Sequence, residues 1–473
     1  MSAKGMEYML IVSSAAVSLF LMSFDINMVN IALPTITKHY ALDVGTSTWL
    51  IIVPGIILCS LLLPFGKMGD VFGHRRIFLI GMAMFSLFNL FIGLAYHLES
   101  FWLLVILRAF AAIGAAMMVS VNFAIVSINL PEDIRGKGLG YFSIFGALGL
   151  MLGPFLSGVI IDYLQWNGIF YLNAIIGVCG LCMALAFIPD SETKGYPADL
   201  LQTATVFVTI LTSTLAINRA LIGGLTPMVY ASAVIAILAL SATLWRQKTA
   251  AYPLLAREII QDKMVMLPLL SMMFLYMCYN GAMILLPFYL EDVEGVGGAL
   301  MGSLFVIPSL FIIALGPIAG SISDRHGSMV LTLVGTGTMA LAMTIFMVMG
   351  RVDGVFIASM GLVIMGVSHG LFNAPNNRRI FCRVPMDMVG TASGTHQMIR
   401  QIGNVLGSAT MPAVFQLLAG AAPTMDKMML GFEGGFFVGV IYAVAALGMV
   451  ILIRLVYERK EEGCFETLRS HGS

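Results

Sequence analysis

Long apolar runs dominate this chain and leave few options for its fold. Stretches of about 20 hydrophobic residues recur along it, a length at which an α-helix crosses the hydrocarbon core of a bilayer. Membrane β-strands would instead alternate apolar and polar residues over about ten positions. Charged residues make up only 11% of the chain, whereas soluble domains carry about 25%. We therefore predict an all-α integral membrane protein.

The apolar runs divide the chain into fourteen predicted spans and three regions. Residues 1–190 hold six spans, and residues 264–473 hold six more with a cytoplasmic tail. Residues 191–263 form a linker with two extra transmembrane helices and a cytoplasmic interfacial segment. The pattern G-x-x-x-D-x-x-G occurs at Gly66–Gly73, after span 2, and again at Gly320–Gly327, after span 10. This repeat predicts two six-helix bundles related by pseudo-two-fold symmetry.

The basic residues predict how the spans are oriented. With the N-terminus inside, only four of the loop Lys and Arg residues fall on the outer side: Lys38, Arg219, Arg351 and Lys427. Cytoplasmic loops are enriched in Lys and Arg. We therefore predict a multi-pass protein of the cell membrane with cytoplasmic N- and C-termini.

Polar residues inside the first span point to a function. Asp25 would lie within the hydrocarbon zone, followed by Asn27 and Asn30. A charged side chain there costs roughly 2.5–3.5 kcal/mol on insertion scales, and desolvation disfavours its anion. Such a group needs a wet cavity, a partner or a proton. A purely structural carboxyl is the plainer alternative, but we predict that Asp25 binds and releases a proton.

Arg108 in the fourth span would place a positive charge inside the membrane, as Asp25 would place a negative one. A buried guanidinium stays charged and needs a counter-ion, and Asp25 is the only acidic residue predicted deep within a span. We hypothesise that protonation of Asp25 deprives Arg108 of its partner and changes the contact between spans 1 and 4.

Several motifs in both halves resemble the major facilitator superfamily, and within it the fourteen-helix drug:proton antiporters. Gly66–Arg76 matches the loop motif after helix 2, and Phe24–Pro34 matches the helix 1 signature, with Asn27 where Thr is usual. Gly149–Gly158 in span 5 matches the antiporter motif. Further similar segments are Leu286–Leu290, Gly370–Asn376 and Ala392–Gln401.

The resemblance implies three groups of gating residues. The first is a cytoplasmic latch that includes Gly66, Asp70, Gly73, Arg75 and Arg76, for which a purely topogenic basic loop is the alternative. A second, weaker latch would contain Gly320, Asp324 and Arg325. The third is a hinge in span 5 at Gly149, Gly153 and Pro154. There, the G-x-x-x-G spacing also permits simple tight helix packing, and Pro154 can kink the helix.

Three further positions depart from the family pattern. Ala111 and Ala112 stand where Gln and Gly are usual, which would remove part of a proton-handling polar network. Glu291 stands where Gln is common and adds a carboxyl at the predicted outer mouth.

Polar residues of spans 12 and 13 are candidates for a substrate cavity, together with Asn27, Asn30 and Glu291. They are His369, Asn373, His396, Gln397, Arg400 and Gln401. A structural role is an open alternative for the histidines. Arg400 is a stronger candidate because an unpaired cation is untenable in lipid. This cationic content favours an anionic, zwitterionic or amphipathic substrate.

We therefore predict a proton-coupled exporter of amphipathic small molecules or drugs that works by alternating access. It would be a monomer in the bilayer that uses protons and no cofactor or metal, and zero net charge gives no reason to expect a nucleic-acid partner. A carrier of the same fold for one metabolite or lipid is the main alternative. A membrane enzyme or a channel is a remote one, since no clustered Asp, His and Cys motif is evident. Export is preferred to uptake only because of the span 5 match.

Overall fold

The computed structural model describes residues 3–98, 100–190, 200–223, 226–249, 262–349, 354–384, 389–420 and 423–470. Every regular element in these ranges is a helix, so the predicted all-α membrane fold is confirmed. The predicted interfacial segment at Leu254–Ile260 lies outside the described residues.

The described part of the first half of the chain contains nine α-helices. Their bounds are α1 Ala3–His39, α2 Val44–Ser47, α3 Trp49–Phe72, α4 His74–Leu94, α5 Phe101–Asn129, α6 Glu132–Tyr163, α7 Gly168–Phe187, α8 Leu200–Gly223 and α9 Pro227–Thr249. A short 3-10 turn, Ala95–His97, follows α4.

The helices of the second half begin with a long one that ends in a π-helical turn, Tyr289–Val293. Their bounds are α10 Lys263–Phe288, α11 Gly298–Leu304, α12 Val306–His326, α13 Met329–Met347, α14 Gly354–Phe381, α15 Val389–Ala419 and α16 Met425–Ser470.

Thirteen helical stretches in the described part of the chain are long and apolar enough to cross a membrane. The exception among the fourteen predicted spans is α8. It forms a helix of 24 residues, but its described apolar stretch is the shorter Ala204–Ile217.

The predicted tenth span, Ala299–Ser321, is broken between α11 and α12 at Phe305. Pro308 gives a physical reason for the break. Its ring would clash with the carbonyl group of Leu304, four residues earlier, and it has no N–H to donate. The α-helical hydrogen-bonding pattern is therefore interrupted one residue after Leu304.

The Cα positions cluster into two compact units. Unit 1 consists of Met1–Leu244 and Pro287–Val306, and unit 2 consists of Trp245–Leu286 and Ile307–Ser473. The segment Pro287–Val306 thus packs with the first half of the chain, although it lies in the second half of the sequence.

In unit 1, α1 packs along α6, and α4 packs against both α5 and α7. Large buried side chains such as Phe78, Phe85 and Phe142 fill the core between these helices. In unit 2, α13 packs against α14 and α16, and α15 packs against α16. Gly403 on α15 lies against the carbonyl oxygen of Met273 on α10, so these two backbones approach closely.

Candidate functional site

Asp25 and Arg108 form a buried ion pair in unit 1. Nη1 of Arg108 lies 2.8 Å from each carboxylate oxygen of Asp25. The two side chains are 9% and 3% exposed, respectively. The helices α1 and α5 therefore bring together the two charges that the sequence placed inside spans 1 and 4.

A third side chain, which the sequence did not single out, also holds the carboxylate of Asp25. Nδ2 of Asn173 on α7 donates to Oδ1 of Asp25 at 2.8 Å. Phe170, one turn earlier on α7, has its ring centre 5.7 Å from Cζ of Arg108. A buried asparagine in an otherwise apolar span was the available signal, but its partner could not be known before the helices were packed.

A small cavity of about 20 Å³ lies beside the ion pair, enough for one water molecule. Asp25 and Arg108 contribute its polar wall, and Ala111, Ala112 and Ala115 form part of its apolar wall. The two short side chains at 111 and 112 leave space that a longer polar residue would fill. The carboxylate of Asp25 therefore borders a small space with room for about one water molecule.

The glycines of α6 hold it close to α1 next to this site. A Cβ atom added at Gly149 would lie 2.5 Å from the carbonyl oxygen of Phe20, and one added at Gly153 would lie 2.9 Å from that of Phe24. Oγ of Ser157 donates to the carbonyl oxygen of Met28 at 2.8 Å. Pro154 lies inside α6, and its carbonyl group faces Gly302 of α11. The close approach that the G-x-x-x-G spacing permits is therefore present between α1 and α6. The hinge role stays a prediction.

Among the described hydrogen bonds, none joins Asp25 to the other predicted polar residues of α1. Nδ2 of Asn27 donates to the carbonyl oxygen of Ser23 in its own helix, at 2.7 Å. Asn30 is 2% exposed, and its buried Oδ1 has no partner among the described residues.

Glu291, in the π-helical turn after α10, belongs to an ionic cluster at the C-terminal end of α1. Nζ of Lys38 contacts Glu291 at 2.8 Å and Asp292 at 2.7 Å. The carboxylate of Asp162 on α6 accepts hydrogen bonds from the first N–H groups of α11, those of Gly298 and Ala299. These contacts fasten Pro287–Val306 to the first half of the chain.

The predicted latch after α3 takes part in one local and one long-range ion pair among the described residues. Asp70 pairs with His74 at 3.1 Å, and Arg75 pairs with Asp190 at 2.7 Å. Arg76 is exposed, and a Cβ at Gly66 would meet only ordinary contacts. Gly73 has a φ of 96°, which an L-residue rarely adopts, so glycine is required where the chain turns from α3 into α4.

The repeat after α12 shares this turn. Gly327 has a φ of 87°, and its N–H bonds to the carbonyl oxygen of Ser323, as the N–H of Gly73 bonds to that of Gly69. Arg325 is exposed, and Gly320 has ordinary contacts. The side chain of Asp324 lies outside the described part of the chain. The two motifs therefore share a backbone turn, while their latch roles remain predictions.

Four of the six candidate cavity residues of unit 2 make three separate side-chain contacts. His369 and Asn373 contact each other through Nδ1 and Nδ2 at 3.0 Å. His396 contacts Asn377 instead, with 2.8 Å between Nε2 and Oδ1. Gln401 accepts a hydrogen bond from Asn404 at 2.5 Å.

Arg400 and Gln397 are the remaining two candidates. Cζ of Arg400 lies 5.8 Å from the ring centre of Tyr276, a residue that the sequence analysis did not select. Gln397 is partly buried. The structure thus brings His369, Asn373 and Arg400 around one tyrosine, whereas the imidazole of His396 contacts Asn377.

Comparison with known proteins finds relatives along most of the chain. The family model described as Major Facilitator Superfamily matches residues 15–408. The riboflavin transporter RibZ of Clostridioides difficile (strain 630) is 26% identical, over 84% of this chain and 86% of that protein. The multidrug resistance protein Stp of Mycobacterium tuberculosis (strain CDC 1551 / Oshkosh) is 23% identical, over 85% and 74% respectively.

A solved structure has the same fold. It is a bacterial homologue of the human lysosomal transporter Spinster, in an inward-facing and unoccupied conformation. Its TM-score is 0.70 at 14% sequence identity, with 96% of this chain and 98% of that chain covered.

Proposed function

Because this chain belongs to the major facilitator superfamily of transporters, we propose that it exports amphipathic small molecules in exchange for protons by alternating access. The observation that carries the proposal is the carboxylate of Asp25, buried in a membrane span and held by Arg108 and Asn173. The similarity to a multidrug resistance protein supports export. The excess of basic residues on one side supports cytoplasmic termini in the cell membrane.

The proposed coupling follows from the charges of the pair. With Asp25 ionised, Arg108 is neutralised and both can remain buried. A proton on Asp25 leaves the guanidinium without a counter-ion, and an uncompensated buried charge is strongly unfavourable. Protonation therefore favours a second arrangement of α1 and α5 in which Arg108 reaches water or another partner. One proton moving down 100 mV supplies about 2.3 kcal/mol for this change.

A carrier dedicated to one metabolite is the second candidate. The similarity to a protein named as a riboflavin transporter favours it. The two candidates share fold and coupling but differ in breadth. Competition by a panel of unrelated drugs and dyes would distinguish them, since only a polyspecific exporter is inhibited by many of them.

Transport in proteoliposomes under an imposed pH gradient tests proton coupling. Wild-type protein should accumulate substrate against its gradient only when protons flow the opposite way, and reversing the pH gradient should reverse substrate movement. Asp25→Asn should abolish accumulation while facilitated exchange persists. Uphill transport by Asp25→Asn with an unchanged pH response would exclude this coupling site.

Replacement of Asn173 should weaken proton coupling. The N–H group of Asn173 donates to the carboxylate of Asp25, so Asn173→Leu removes one of the described partners of this carboxylate and should lower proton-coupled transport. Asn89→Leu is the matched control, because Asn89 is equally buried but donates to the carbonyl oxygen of Phe85 in its own helix. Initial transport rates between pH 5 and 9 would measure the difference. Identical profiles for the two variants would contradict a role for Asn173.

A further inference from the structure

Aromatic and polar side chains gather around Arg400 in unit 2. The ring of Tyr276 lies under the guanidinium, and its hydroxyl group donates to Oδ1 of Asn373 at 3.4 Å. The imidazole of His369 contacts the rings of Tyr276 and Tyr279 edge-on, with centroid distances of 5.0 and 4.4 Å. One cation, two phenols, an imidazole and an amide thus lie within one cluster.

Arg400 differs from Arg108 because no carboxylate faces it among the described residues. None of the ion pairs of the described part of the chain includes Arg400, and its buried Nε makes no hydrogen bond there. In the same cluster, His369 is 2% exposed and its Nε2 has no described partner. A cation inside a membrane span is expected to pair with an anion or to line a wet cavity.

We propose that the transported compound carries an oxyanion that pairs with Arg400, on an aromatic body that packs against Tyr276 and Tyr279. This inference rests on the proposed transport function and adds the charge and shape of the substrate. The guanidinium presents N–H donors in a planar fork that matches carboxylate, phosphate and sulfonate groups.

The surrounding side chains sharpen this choice. The two tyrosines offer flat apolar surfaces, and His369 Nε2 and Asn373 can bind further polar atoms of the ring system. A cationic compound would meet the uncompensated charge of Arg400, so it should bind more weakly than its anionic analogue.

Three probes that share a naphthalene ring system and differ in charge test the proposal. They are 2-naphthoate, 2-naphthamide and 2-naphthyltrimethylammonium, and their equilibrium binding to the purified full chain in lipid nanodiscs would be measured without a pH gradient. Wild-type protein should bind naphthoate at least about tenfold more tightly than naphthamide, as expected for a hydrogen bond between charged groups. The ammonium compound should bind most weakly.

Substitutions then assign the preference to Arg400. Arg400→Gln should equalise the affinities for naphthoate and naphthamide, whereas Arg400→Lys, which keeps the charge, should retain part of the difference. Arg219→Gln removes an exposed cation from α8 and should leave all three affinities unchanged.

The proposal is wrong if the wild-type protein does not bind naphthoate, or binds it no more tightly than naphthamide. It is also wrong if Arg400→Gln keeps the preference for naphthoate. If Arg400→Gln does not fold, the order of the three wild-type affinities still tests whether the site prefers an anion. Asp25→Asn should keep the anion preference even though it loses coupled transport, so failure of proton exchange and failure of this proposal are distinguishable.

Discussion

Arg108→Ala should lower the free energy of unfolding by about 3–5 kcal/mol, because it leaves Asp25 buried without its counter-ion. Asp25 is buried, and the remaining described donor to its carboxylate would be Asn173. The small cavity beside the pair has room for about one water molecule, which cannot replace the solvation that a carboxylate has in bulk water. The melting temperature of the purified protein in detergent would measure the loss.

The double variant Arg108→Ala/Asp25→Asn separates charge burial from lost packing. It removes both charges, so most of the stability lost in the single variant should return. Coupled transport should be absent from both variants, because neither retains the pair. If the double variant were as unstable as Arg108→Ala, the loss would come from the missing side-chain packing of Arg108 and not from the uncompensated carboxylate.

Gly149→Ala should destabilise the protein by about 1–3 kcal/mol, the usual cost of overpacking a filled interior. The added Cβ would lie 2.5 Å from the carbonyl oxygen of Phe20 and 3.1 Å from the backbone nitrogen of Phe24. These are backbone atoms of α1, so relief requires α1 and α6 to separate. Because Phe24 precedes Asp25, the same shift would move the carboxylate relative to Arg108 and lower coupled transport.

Gly140→Ala is the matched control in the same helix. An added Cβ there has no neighbouring atom within 4 Å. Since alanine favours a helix interior over glycine by about 1 kcal/mol, Gly140→Ala should be neutral or mildly stabilising. Thermal melting of both variants in detergent would decide the matter. Equal melting temperatures would show that close α1–α6 packing contributes little to stability.

Local sequence patterns were sufficient for the fold class. A helix in lipid must satisfy its backbone within about 20 residues of its own chain, so each apolar run predicts a span without knowledge of its neighbours. The predicted span at Ala299–Ser321 was incomplete in one respect. Pro308 accounts for the break at Phe305, because it lacks the N–H group of a helix interior, an effect that a hydropathy average does not include.

The sequence predicted far less well which side chains contact one another. Asp25 and Arg108 could be linked in advance because few charges lie deep in the spans, and the structure places them in contact. Asn173 was missed because many polar amides occur in the spans, and only the rotation of α7 turns this one toward Asp25.

The two candidate histidines of the substrate cavity show the same difference. His369 and His396 look alike in the sequence, yet His369 lies among Tyr276, Tyr279 and Asn373 while His396 contacts Asn377. The sequence by itself determined that this chain is a bundle of membrane-spanning helices with an acid and a base inside it, because the cost of exposing backbone and charge to lipid is paid residue by residue. Only the tertiary structure decided which side chains meet, because that depends on how each helix is rotated and how closely its glycines let it approach the next.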